Sequence, residues 1–560
     1  MASPNLRHPE EAAQQPSRRT QNRLNTIDPI TLEVLRNGLE SIADEMGVVL
    51  KHTSFSPNIK ERMDASCAIF DAEAQLVAQA EHVPVHLGSM LRAVKATVTA
   101  AGRVDDGDVV IVNDPFIGGS HLPDITLVAP VHVANGQDSR HIGYVATRAH
   151  HADVGGMEPG SMPGNSREVY QEGIIIPAIK LYRGGELQDD VMRLILANVR
   201  TADERRGDLN AQLAALRVGE QRLKELAARY GADLLCAGFH AILDYAERRM
   251  RRRIAELPPG TYRGEDFLDD DGTDDEPVQI SLEVTVTPDK LVLDFAGSSP
   301  QRRGNINAVA PMTYSGVFFA VKVMTDPEIP VNAGTFRPVE LRLPEGSFLA
   351  AVRPAAVCAG NTETTQRVAD TVLKVFAQFA PDRVPAASQG TMNLIGIGGR
   401  DSRHSDETAG KPYTYIETIG GGQGGRPMGP GDDGIQCNMT NTMNTPIEAL
   451  EITYPLRVER YELREGSAGR GRHRGGEGLV RAIRVLDHEA RVSLQSERRR
   501  FAPYGLHGGA DGMRGRNSVI HSDGSVEEVP GKASLTLVRD DIVVVETPGG
   551  GGWGDEGGAE

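Results

Sequence analysis

The chain has 560 residues, of which 39% are hydrophobic and 24% charged, a composition typical of a globular protein with more than one structural unit. Its formal net charge of −17 argues against a general nucleic-acid binder and against binding to an anionic membrane, because both require basic surface. The four cysteines are widely spaced and contain no C-x-x-C pair, which excludes a zinc ribbon and indicates a reduced protein without disulfides.

The N-terminal residues show no targeting signal. No apolar run reaches the length of a signal peptide or the roughly 18 residues of a membrane span, so we expect a cytoplasmic protein. Residues 1–26 are polar and rich in Pro, Gln, Arg and Asn, which predicts a disordered tail. An amphipathic helix should follow, capped by Asp28 and with Pro29 in its first turn, because apolar side chains recur every three or four positions from Leu32 to Met46.

Short apolar runs between residues 65 and 185 predict buried strands, and each run leads into a polar or glycine-rich loop. Loops that a rigid scaffold positions are where functional side chains tend to lie, so the functional residues are expected in this part of the chain. The predicted strands are residues 67–70, 109–112, 125–128 and 143–147.

Two long helices are predicted after this region, at about residues 187–229 and 232–256, and Gly231 between them indicates a helical hairpin. Alternating apolar and polar residues at 280–297, with a turn in the middle, predict a β-hairpin. A further helix should begin at Asn361.

The order of these elements is neither a regular βα alternation nor purely helical. It predicts a fold between α/β and α+β, in which mixed sheets form several layers with a helical hairpin and a β-rich C-terminal part. The ordered chain then divides into an N-terminal α/β region with the His/Asp loops and the hairpin, a central α+β region, and a β-rich C-terminal region with a glycine-rich tail. The expected limits are residues 27–260, 261–450 and 451–560.

The 15 histidines are unevenly placed, and three loops of the predicted strand region hold five of them. Two of these loops contain a histidine, two intervening residues and an aspartate, at residues 121–124 and 150–153, and both contain a Gly-Gly pair that lets backbones approach closely. Neutral imidazole and carboxylate form a ligand set that zinc, manganese or iron(II) accepts. If the two loops meet in space, a metal ion bound there with one open coordination position would activate water or polarise a carbonyl.

The same histidines also have a structural interpretation, because a lone histidine in a loop is more often a hydrogen-bonded structural residue, and the spacing matches no short motif such as H-E-x-x-H. The sequence has no P-loop, no dinucleotide-binding G-x-G-x-x-G between a strand and a helix, and no G-x-S-x-G nucleophile elbow. The glycine-rich stretch at residues 420–425 is compatible with a mobile loop or with a loop that cradles an anion.

Ordered motifs along nearly the whole chain, from about Asp28 to Asp555, resemble those of the B subunits of N-methylhydantoinase, a family that also forms the C-terminal half of 5-oxoprolinase. Several motifs in one order over this length are more specific than any one of them. The matching segments are DPITLEV at 28–34, HVPVHLGSM at 82–90, NDP through HLPD at 113–124, HHADVGG at 150–156, GSM at 160–162, GNIN at 304–307, NTPIE at 444–448 with Glu451, Tyr454 and Pro455, and PGGGG at 548–552.

The resemblance implies one component of a two-component, ATP-dependent hydrolase of cyclic amides such as hydantoins, 5-oxoproline or related lactams. In this family an A-type partner with an actin-like ATPase fold uses ATP and Mg²⁺ to phosphorylate the substrate, and the B-type component completes the hydrolysis. We therefore expect that ATPase and a small cyclic amide as partners, in a hetero-oligomer such as A2B2, with no nucleic acid and no membrane. The absence of a P-loop from this chain is compatible with that division.

Two alternatives stay open. The same superfamily contains components of ATP-dependent acetone and acetophenone carboxylases, so the chain is alternatively part of a ketone carboxylase, which bicarbonate dependence would reveal. The second alternative is a non-catalytic scaffold for the ATPase, in which the histidines are structural. The HHADVGG version of the motif at 150–156 favours the hydrolases.

Phosphorylation turns the amide oxygen into a leaving group, and water whose pKa a metal lowers toward about 7 is then able to attack the activated carbon. In this hypothesis His121, Asp124 and His150 are ligands of a divalent zinc, manganese or iron ion. Asp153 is a further ligand, or a carboxylate that orients the imidazoles.

Four further side chains from the same loops are predicted to be catalytic. Asp114 and His151 are expected to bind the metal or to orient its ligands. His86 and Arg148 are expected to hold a phosphoryl or carboxylate group, since a bidentate arginine suits either anion. No residue of this chain is predicted to bind an organic cofactor.

Overall fold

The residues that the computed structural model describes are 27–80, 83–136, 138–403 and 410–557. The predicted tail at residues 1–26, together with His82, lies outside them. Helices are combined with four β-sheets, which confirms the α+β class with mixed sheets predicted from the order of elements. All four cysteines are unpaired, and none of the helices in these parts of the chain is long and apolar enough to cross a membrane.

The helices are α1 (Pro29–Thr53), α2 (Pro57–Lys60), α3 (His86–Ala101), α4 (Asp189–Ala197), α5 (Ala202–Tyr230), α6 (Ala232–Ala255), α7 (Ala310–Thr325), α8 (Ala333–Phe336), α9 (Thr365–Phe376) and α10 (Ile447–Thr453). Short 3-10 turns lie at Pro115–Ile117, Val169–Gln171 and Pro381–Arg383, and a π-helical turn at Gly360–Thr364 precedes α9. The strands are β1 (Ala65–Asp71), β2 (Leu76–Ala80), β3 (Val109–Val112), β4 (Asp124–Asn135), β5 (Asp138–His150), β6 (Ile179–Arg183), β7 (Glu186–Leu187), β8 (Gly260–Leu268), β9 (Val278–Val286), β10 (Leu291–Asp294), β11 (Val339–Arg342), β12 (Leu394–Asp401), β13 (Lys411–Thr418), β14 (Leu456–Arg464), β15 (Gly478–Val485), β16 (Ala490–Gln495), β17 (Arg516–Ile520), β18 (Val526–Val529), β19 (Lys532–Leu537) and β20 (Ile542–Glu546).

Helix α1 forms as its sequence predicts. The Asp28 carboxylate accepts hydrogen bonds from the backbone N–H groups of Ile30 and Thr31 at 3.1 and 3.0 Å, which satisfies donors that the first turn of a helix leaves free. The apolar face, centred on Leu39 and Met46, is buried against α5 and the first sheet. The periodicity of the sequence is thus explained by burial of one face.

The first sheet has seven antiparallel strands in the order β2-β1-β5-β4-β3-β6-β7, and it contains all four strands predicted between residues 65 and 185. One face packs against α1 and α5, and the other shares a core with α3 and α7. Side chains alternate along each strand, so in the central parts of β1, β4 and β5 the odd-numbered residues face α1 and α5. The even-numbered residues face α3.

The helical region after this sheet differs from the prediction in one place. The helix expected at about residues 187–229 is two helices, α4 and α5, because residues 198–201 leave the helical path between them. Arg200, in this break, donates from its backbone N–H and from its guanidinium to the Asp153 carboxylate, at 3.0 and 2.8 Å. Helix α6 begins after Gly231, whose positive φ of 84° suits glycine, so the predicted junction of two consecutive helices is confirmed.

Three further sheets complete the described fold, with strand orders β11-β10-β9-β8, β13-β12-β16-β19 and β14-β15-β20-β17-β18. Strands β9 and β10 form the predicted hairpin, and the chain after residue 450 supplies strands β14 to β20, as its pattern predicts. Strand β12 pairs with β16 at the centre of the third sheet, flanked by β13 and β19, so this sheet contains strands from both sides of the division predicted at residue 450. The limits of the three regions stay a prediction.

The two glycine-rich stretches pack against each other. The Gly422 N–H donates to the Pro548 carbonyl at 3.0 Å. A side chain at Gly422 would place its Cβ atom 2.1 Å from the Gly476 carbonyl oxygen, so this close approach requires glycine. Backbone contacts hold the stretch at residues 420–425 against the C-terminal stretch, which favours an ordered loop over a mobile one.

Candidate metal centre

Two strands of the first sheet place an aspartate and a histidine side by side. Asp124, the first residue of β4, lies opposite His150, the last residue of β5, in the antiparallel register. Residues opposite each other on such a pair present their side chains to the same face of the sheet, here the α3 side. Thr126 and Arg148 form the next pair on this face, and Ser66 of β1 lies opposite Arg148. The register thus gathers polar side chains at one end of the sheet.

His121 joins this pair from the loop that precedes β4. A hydrogen bond of 3.1 Å from the Asp124 N–H to the His121 carbonyl closes the turn, and His121 Nε2 lies 3.3 Å from Asp124 Oδ1. The His121 and His150 rings meet edge to face, with centroids 4.9 Å apart. One ligand atom from each of the three residues lies within 4.8 Å of the others, and all three residues are buried. The structure brings these three residues together as the hypothesis expects.

His86 reaches the same carboxylate from the first turn of α3. Its Nε2 atom lies 3.4 Å from Asp124 Oδ2, and its Nδ1 atom lies 2.9 Å from the Ser66 hydroxyl. Ser120 Oγ also donates a hydrogen bond to Asp124 Oδ2. Oδ2 is thereby held by the protein, whereas Oδ1 faces His121 and has no hydrogen-bond partner.

The donor set fits a small divalent ion. A zinc ion at about 2.0–2.2 Å from each ligand separates neighbouring ligand atoms by roughly 3.4 Å in a tetrahedral site. The 3.3 Å between His121 Nε2 and Asp124 Oδ1 agrees with that spacing. Two buried atoms at the cluster, His86 Nε2 and Asp124 Oδ1, have no hydrogen-bond partner in the described parts of the chain, an unfavourable arrangement that a cation would relieve. Two imidazoles and a carboxylate also suit manganese or iron(II).

The protonation states suit metal binding. Burial lowers the pKa of His150 to about 4, so its imidazole is neutral at pH 7 and has a lone pair to donate. Burial alone would raise the pKa of Asp124, but the neighbouring His121 and His86 outweigh that effect and hold this pKa well below its usual value. At neutral pH the centre therefore offers an anionic carboxylate beside a neutral imidazole.

Neighbouring polar groups fix the orientation of the imidazoles. The Cys358 carbonyl lies 3.3 Å from His121 Nδ1, so that Nδ1–H donates to it and Nε2 keeps its lone pair. Asn58 Nδ2 donates to the His150 backbone carbonyl at 2.8 Å and lies 3.2 Å from His150 Nδ1. The buried Glu172 carboxylate accepts the Cys358 N–H at 3.1 Å and so holds that peptide. Such partners set ring orientation and ligand strength in metal sites.

Asp153 does not join the cluster, which corrects the prediction that it is a metal ligand. Its carboxylate accepts hydrogen bonds from the Arg200 backbone and guanidinium and from the Gly155 N–H at 3.0 Å. With its oxygens engaged in this way, Asp153 stabilises the Gly-Gly turn and ties it to the break between α4 and α5.

His151 also lies outside the cluster, because consecutive residues at the end of a strand face opposite sides of the sheet. Its Nε2 atom lies 2.9 Å from Gln212 Oε1 of α5, and burial lowers its pKa below the usual value. His151 therefore connects the end of β5 to α5, and the predicted contact with the metal is not formed.

The other two predicted catalytic residues are engaged by the protein itself. Arg148 donates to the Thr126 hydroxyl at 2.9 Å and to the Ser89 hydroxyl at 2.6 Å, and burial lowers its pKa to about 10. Asp114 pairs with Arg353. Arg148 does not line the cavity beside the cluster, so its predicted contact with an anion is not supported, and Asp114, engaged by Arg353, lies outside the group of residues able to share a metal.

A narrow cavity adjoins the cluster on the side of His150. Its volume of about 30 Å³ has room for a water molecule but is far below the roughly 300–1,000 Å³ of typical ligand pockets. A larger ligand can enter only if the walls separate. The polar residues that line the cavity with His150 include Arg62, Asp64, Asn361, Thr418, Thr440 and Thr442.

None of these six polar residues was identified from the sequence, and three of them have contacts or charges that bear on the cluster. Asp64 precedes β1, and its charge partly offsets the burial that lowers the pKa of His150. Asn361 Nδ2 lies 2.9 Å from His121 Nε2, and Asn361 Oδ1 has no hydrogen-bond partner. Arg62 lies in the turn just before Asp64. None of the three belongs to a His/Asp loop. The only sequence feature that marked any of them was the helix predicted to begin at Asn361.

We expect Gly360→Ala to weaken metal binding, although Gly360 contacts no metal ligand. Gly360 begins the π-helical turn that carries Asn361, and a Cβ atom there would lie 2.0 Å from the Asn307 carbonyl oxygen. The turn must shift and with it the Cys358 carbonyl, two residues earlier, that accepts the His121 Nδ1–H; loss of such an orienting contact lowers metal affinity by about 10–100-fold. Competition with a chelator measures the change. Gly38→Ala in α1, where the nearest atom is 3.9 Å away, is the matched control. An unchanged affinity in Gly360→Ala would contradict the expectation.

A family model described as hydantoinase B/oxoprolinase matches residues 28–556 of the chain. 5-Oxoprolinase 1 of Arabidopsis thaliana is 38% identical over 559 residues, which cover 95% of this chain and 42% of that protein. The putative B subunit of a D-/L-hydantoinase from Pseudomonas sp. strain NS671 is 31% identical over 553 residues, which cover 95% of this chain and 91% of that protein. The chain thus spans less than half of the 5-oxoprolinase and nearly all of the hydantoinase component.

Solved structures show the same fold. The crystal structure of an ATP-dependent caprolactamase from Pseudomonas jessenii matches with a TM-score of 0.86 at 32% identity, covering 95% of this chain and 92% of that chain. Nucleotide-free acetone carboxylase matches with a TM-score of 0.85 at 19% identity, covering 94% of this chain and 76% of that chain. At that identity the second match supports the fold alone.

Proposed function

The chain belongs to the hydantoinase B/oxoprolinase family, and from this premise we propose that it is the B-type component of an ATP-dependent hydrolase of cyclic amides. The buried cluster of His121, Asp124 and His150, within the region that the family model spans, carries the proposal. Relatives are named as a 5-oxoprolinase, a hydantoinase component and an ATP-dependent caprolactamase, names that share a cyclic amide as substrate.

A zinc, manganese or iron(II) ion held by His121, Asp124 and His150 would supply Lewis-acid chemistry, polarising a carbonyl or lowering the pKa of water. The residues of this chain prepare the position. The Asp124 carboxylate supplies negative charge in a buried site, where its attraction for a cation is stronger than in water. The Cys358 carbonyl orients His121.

An amide is a poor electrophile, and ATP serves to turn its oxygen into a leaving group. We propose that a separate A-type ATPase of actin-like fold performs that step in a hetero-oligomer with this chain, as the naming of a relative as a B subunit suggests, and the absence of a P-loop here is compatible with that division. The chain covers 42% of the Arabidopsis 5-oxoprolinase, which leaves length for an ATP-using part within that single polypeptide.

Co-expression with the A-type ATPase tests the proposal. The expected result is ATP-dependent ring opening of at least one of 5-oxoproline, hydantoin and caprolactam, with ADP formed in proportion. No reaction should occur when ATP or either chain is omitted. If the complex with zinc, manganese or iron(II) added opens none of the three rings, the proposed function fails.

Two other outcomes would favour the alternatives. ATP- and bicarbonate-dependent consumption of acetone or acetophenone by the same complex would indicate a ketone carboxylase, a class whose fold this chain shares. Undiminished ring opening after His121→Ala would indicate a scaffold role, because the histidine cluster would then have no part in the chemistry.

A further inference from the structure

Arg62 is a buried cation without an anionic partner. The residue is 2% exposed, yet no carboxylate forms an ion pair with it in the parts of the chain that the structure describes. Its guanidinium donates instead to Asn58 Oδ1 at 2.9 Å, to the Ile416 carbonyl at 2.6 Å and to the Thr418 hydroxyl at 2.9 Å. Its Nε atom has no partner. Asp64, the one carboxylate that the described residues place in the wall of the same cavity, forms no ion pair with Arg62, and a buried positive charge without a paired counter-charge is unfavourable unless a ligand supplies one.

Other deeply buried arginines are held differently. Arg367, Arg481 and Arg498 each pair with a carboxylate, at 3.3, 3.2 and 2.6 Å respectively. Arg148, which the sequence suggested as an anion holder, donates to two hydroxyl groups and does not line the cavity. Arg62 combines an unpaired charge with an opening in front of it.

The opening in front of Arg62 is the cavity beside the candidate metal centre, so a ligand that enters as the walls separate would reach both. Arg62 and His150 line the same cavity, and the charge of Arg62 adds to burial in lowering the pKa of His150. Three hydroxyl groups continue the polar wall, with Thr418 Oγ1 2.7 Å from Thr442 Oγ1, and Thr440 Oγ1 3.3 Å from Thr442 Oγ1. A guanidinium with adjacent hydroxyl groups is a donor set that recognises carboxylate or phosphate oxygens.

We propose that Arg62, supported by the hydroxyl groups of Thr418 and Thr442, binds an anionic oxygen group of the ligand whose carbonyl lies at the metal centre. The inference rests on the proposed function, and it narrows the substrate class to cyclic amides that carry a carboxylate where the substrate itself supplies the anion. Two sources of that anion share this chemistry. One is a carboxylate carried by the substrate, as in 5-oxoproline, and the other is the phosphoryl group that the ATPase places on the amide oxygen.

Binding measurements on the full chain, loaded with zinc or manganese, distinguish the two sources without the ATPase. The probes are 5-oxoproline, 2-pyrrolidinone (the same ring without the carboxylate) and inorganic phosphate, titrated calorimetrically into wild type and Arg62→Gln. If the substrate supplies the anion, Arg62→Gln should weaken 5-oxoproline binding by about 10-fold or more and leave 2-pyrrolidinone binding unchanged. If the phosphoryl group supplies it, phosphate binding should weaken by that factor and 5-oxoproline binding should not change.

Further variants keep the proposal testable if Arg62→Gln does not fold, which circular dichroism and metal content would reveal. Arg62→Lys keeps the charge without the planar fork, and Thr442→Val removes one hydroxyl; each should weaken anion binding severalfold. Arg460→Gln, at an exposed arginine of β14, is the matched control and should bind every probe as wild type does. Absence of anion binding in wild type, or equal binding in wild type and the cavity variants, would overturn the proposal. The proposed function fails separately, through absence of ATP-dependent ring opening.

Discussion

Asp124→Asn should leave the purified chain with less than about one tenth of the wild-type metal content, and the complex with the ATPase should lose ring-opening activity in parallel. The substitution keeps the size of the side chain and removes the one negative charge among the three ligands. A neutral amide oxygen is a weak ligand for zinc or iron(II). His86 and His121 also lose the carboxylate that they face at 3.4 and 3.3 Å. Elemental analysis and chelator competition measure the loss.

Asp153→Asn is the matched control, because the sequence suggests both aspartates as ligands and the structure separates them. Asp153 pairs with Arg200 at 2.8 Å, so this variant should keep the metal and lose stability instead. Equal metal loss in both variants would return Asp153 to the ligand set. Full retention of the metal in Asp124→Asn would rule out a metal centre at the start of β4.

Structural elements that depend on residues close together in the sequence were predictable. The cap at Asp28 and the hairpin of β9 and β10 depend on side chains within a few positions of each other. The helix expected through residues 198–201 is interrupted there, where the Arg200 backbone N–H binds Asp153, 47 positions away. Local propensity contains no information on such a contact, and tertiary structure overrides it.

The same distinction applies to the candidate site. His121 and Asp124 lie in one short motif, and a motif is visible in sequence. Asn361 reaches His121 across 240 positions, and Arg62 reaches the Ile416 carbonyl across 354. The sheet register and the π-helical turn create these contacts, so the residues that line the cavity could not be found from spacing.

Adjacent histidines illustrate a second limit of the sequence. Residues 150 and 151 are both histidines at the end of a strand, and alternation requires them to face opposite sides of the sheet. The pattern does not say which side carries the site. His150 faces Asp124 across the strand pair, and His151 contacts Gln212 of α5. The two histidines differ in role because α5 packs on the face to which His151 points, and this packing is not visible in the sequence.

The second large effect concerns a buried ion network that joins β19 to the loop after β8. Lys532 is buried, and its Nζ atom lies 2.5 Å from Glu497 Oε1 and 3.2 Å from Asp270 Oδ1. Arg367 approaches the same Glu497 carboxylate at 3.3 Å. Glu363, on the π-helical turn, is near enough that the charge of Glu497 adds to burial in raising the pKa of Glu363 to about 8. The network therefore connects the third sheet to the turn beside the cavity.

We expect Lys532→Met to lower the free energy of unfolding by about 1–2 kcal/mol at pH 8, because it leaves the buried Glu497 with a weaker counter-charge, and uptake of a proton by Glu497, whose folded pKa is already about 7, limits the cost. Burial raises the pKa of Glu497 from 4.5 to about 7 although Lys532 opposes this rise, so the pKa in the folded variant should lie higher still. A raised carboxylate pKa means that the folded chain binds more protons than the unfolded chain. Stability then falls as the pH rises from the unfolded pKa toward the folded one. The loss should therefore be small at pH 5 and large at pH 8.

Thermal unfolding of the full chain at the two pH values measures this difference, and Tm should fall by about 1–2 °C at pH 8, because the unfolding entropy of a 560-residue chain is large. Lys290→Met, which removes an exposed ion pair with Glu340 at 2.9 Å, is the matched control and should change Tm little at either pH. In the double variant Lys532→Met/Glu497→Gln the unpaired charge is removed as well, so most of the loss at pH 8 should be recovered. An equal loss at pH 5 and pH 8 would instead indicate that packing, and not charge compensation, is the contribution of Lys532.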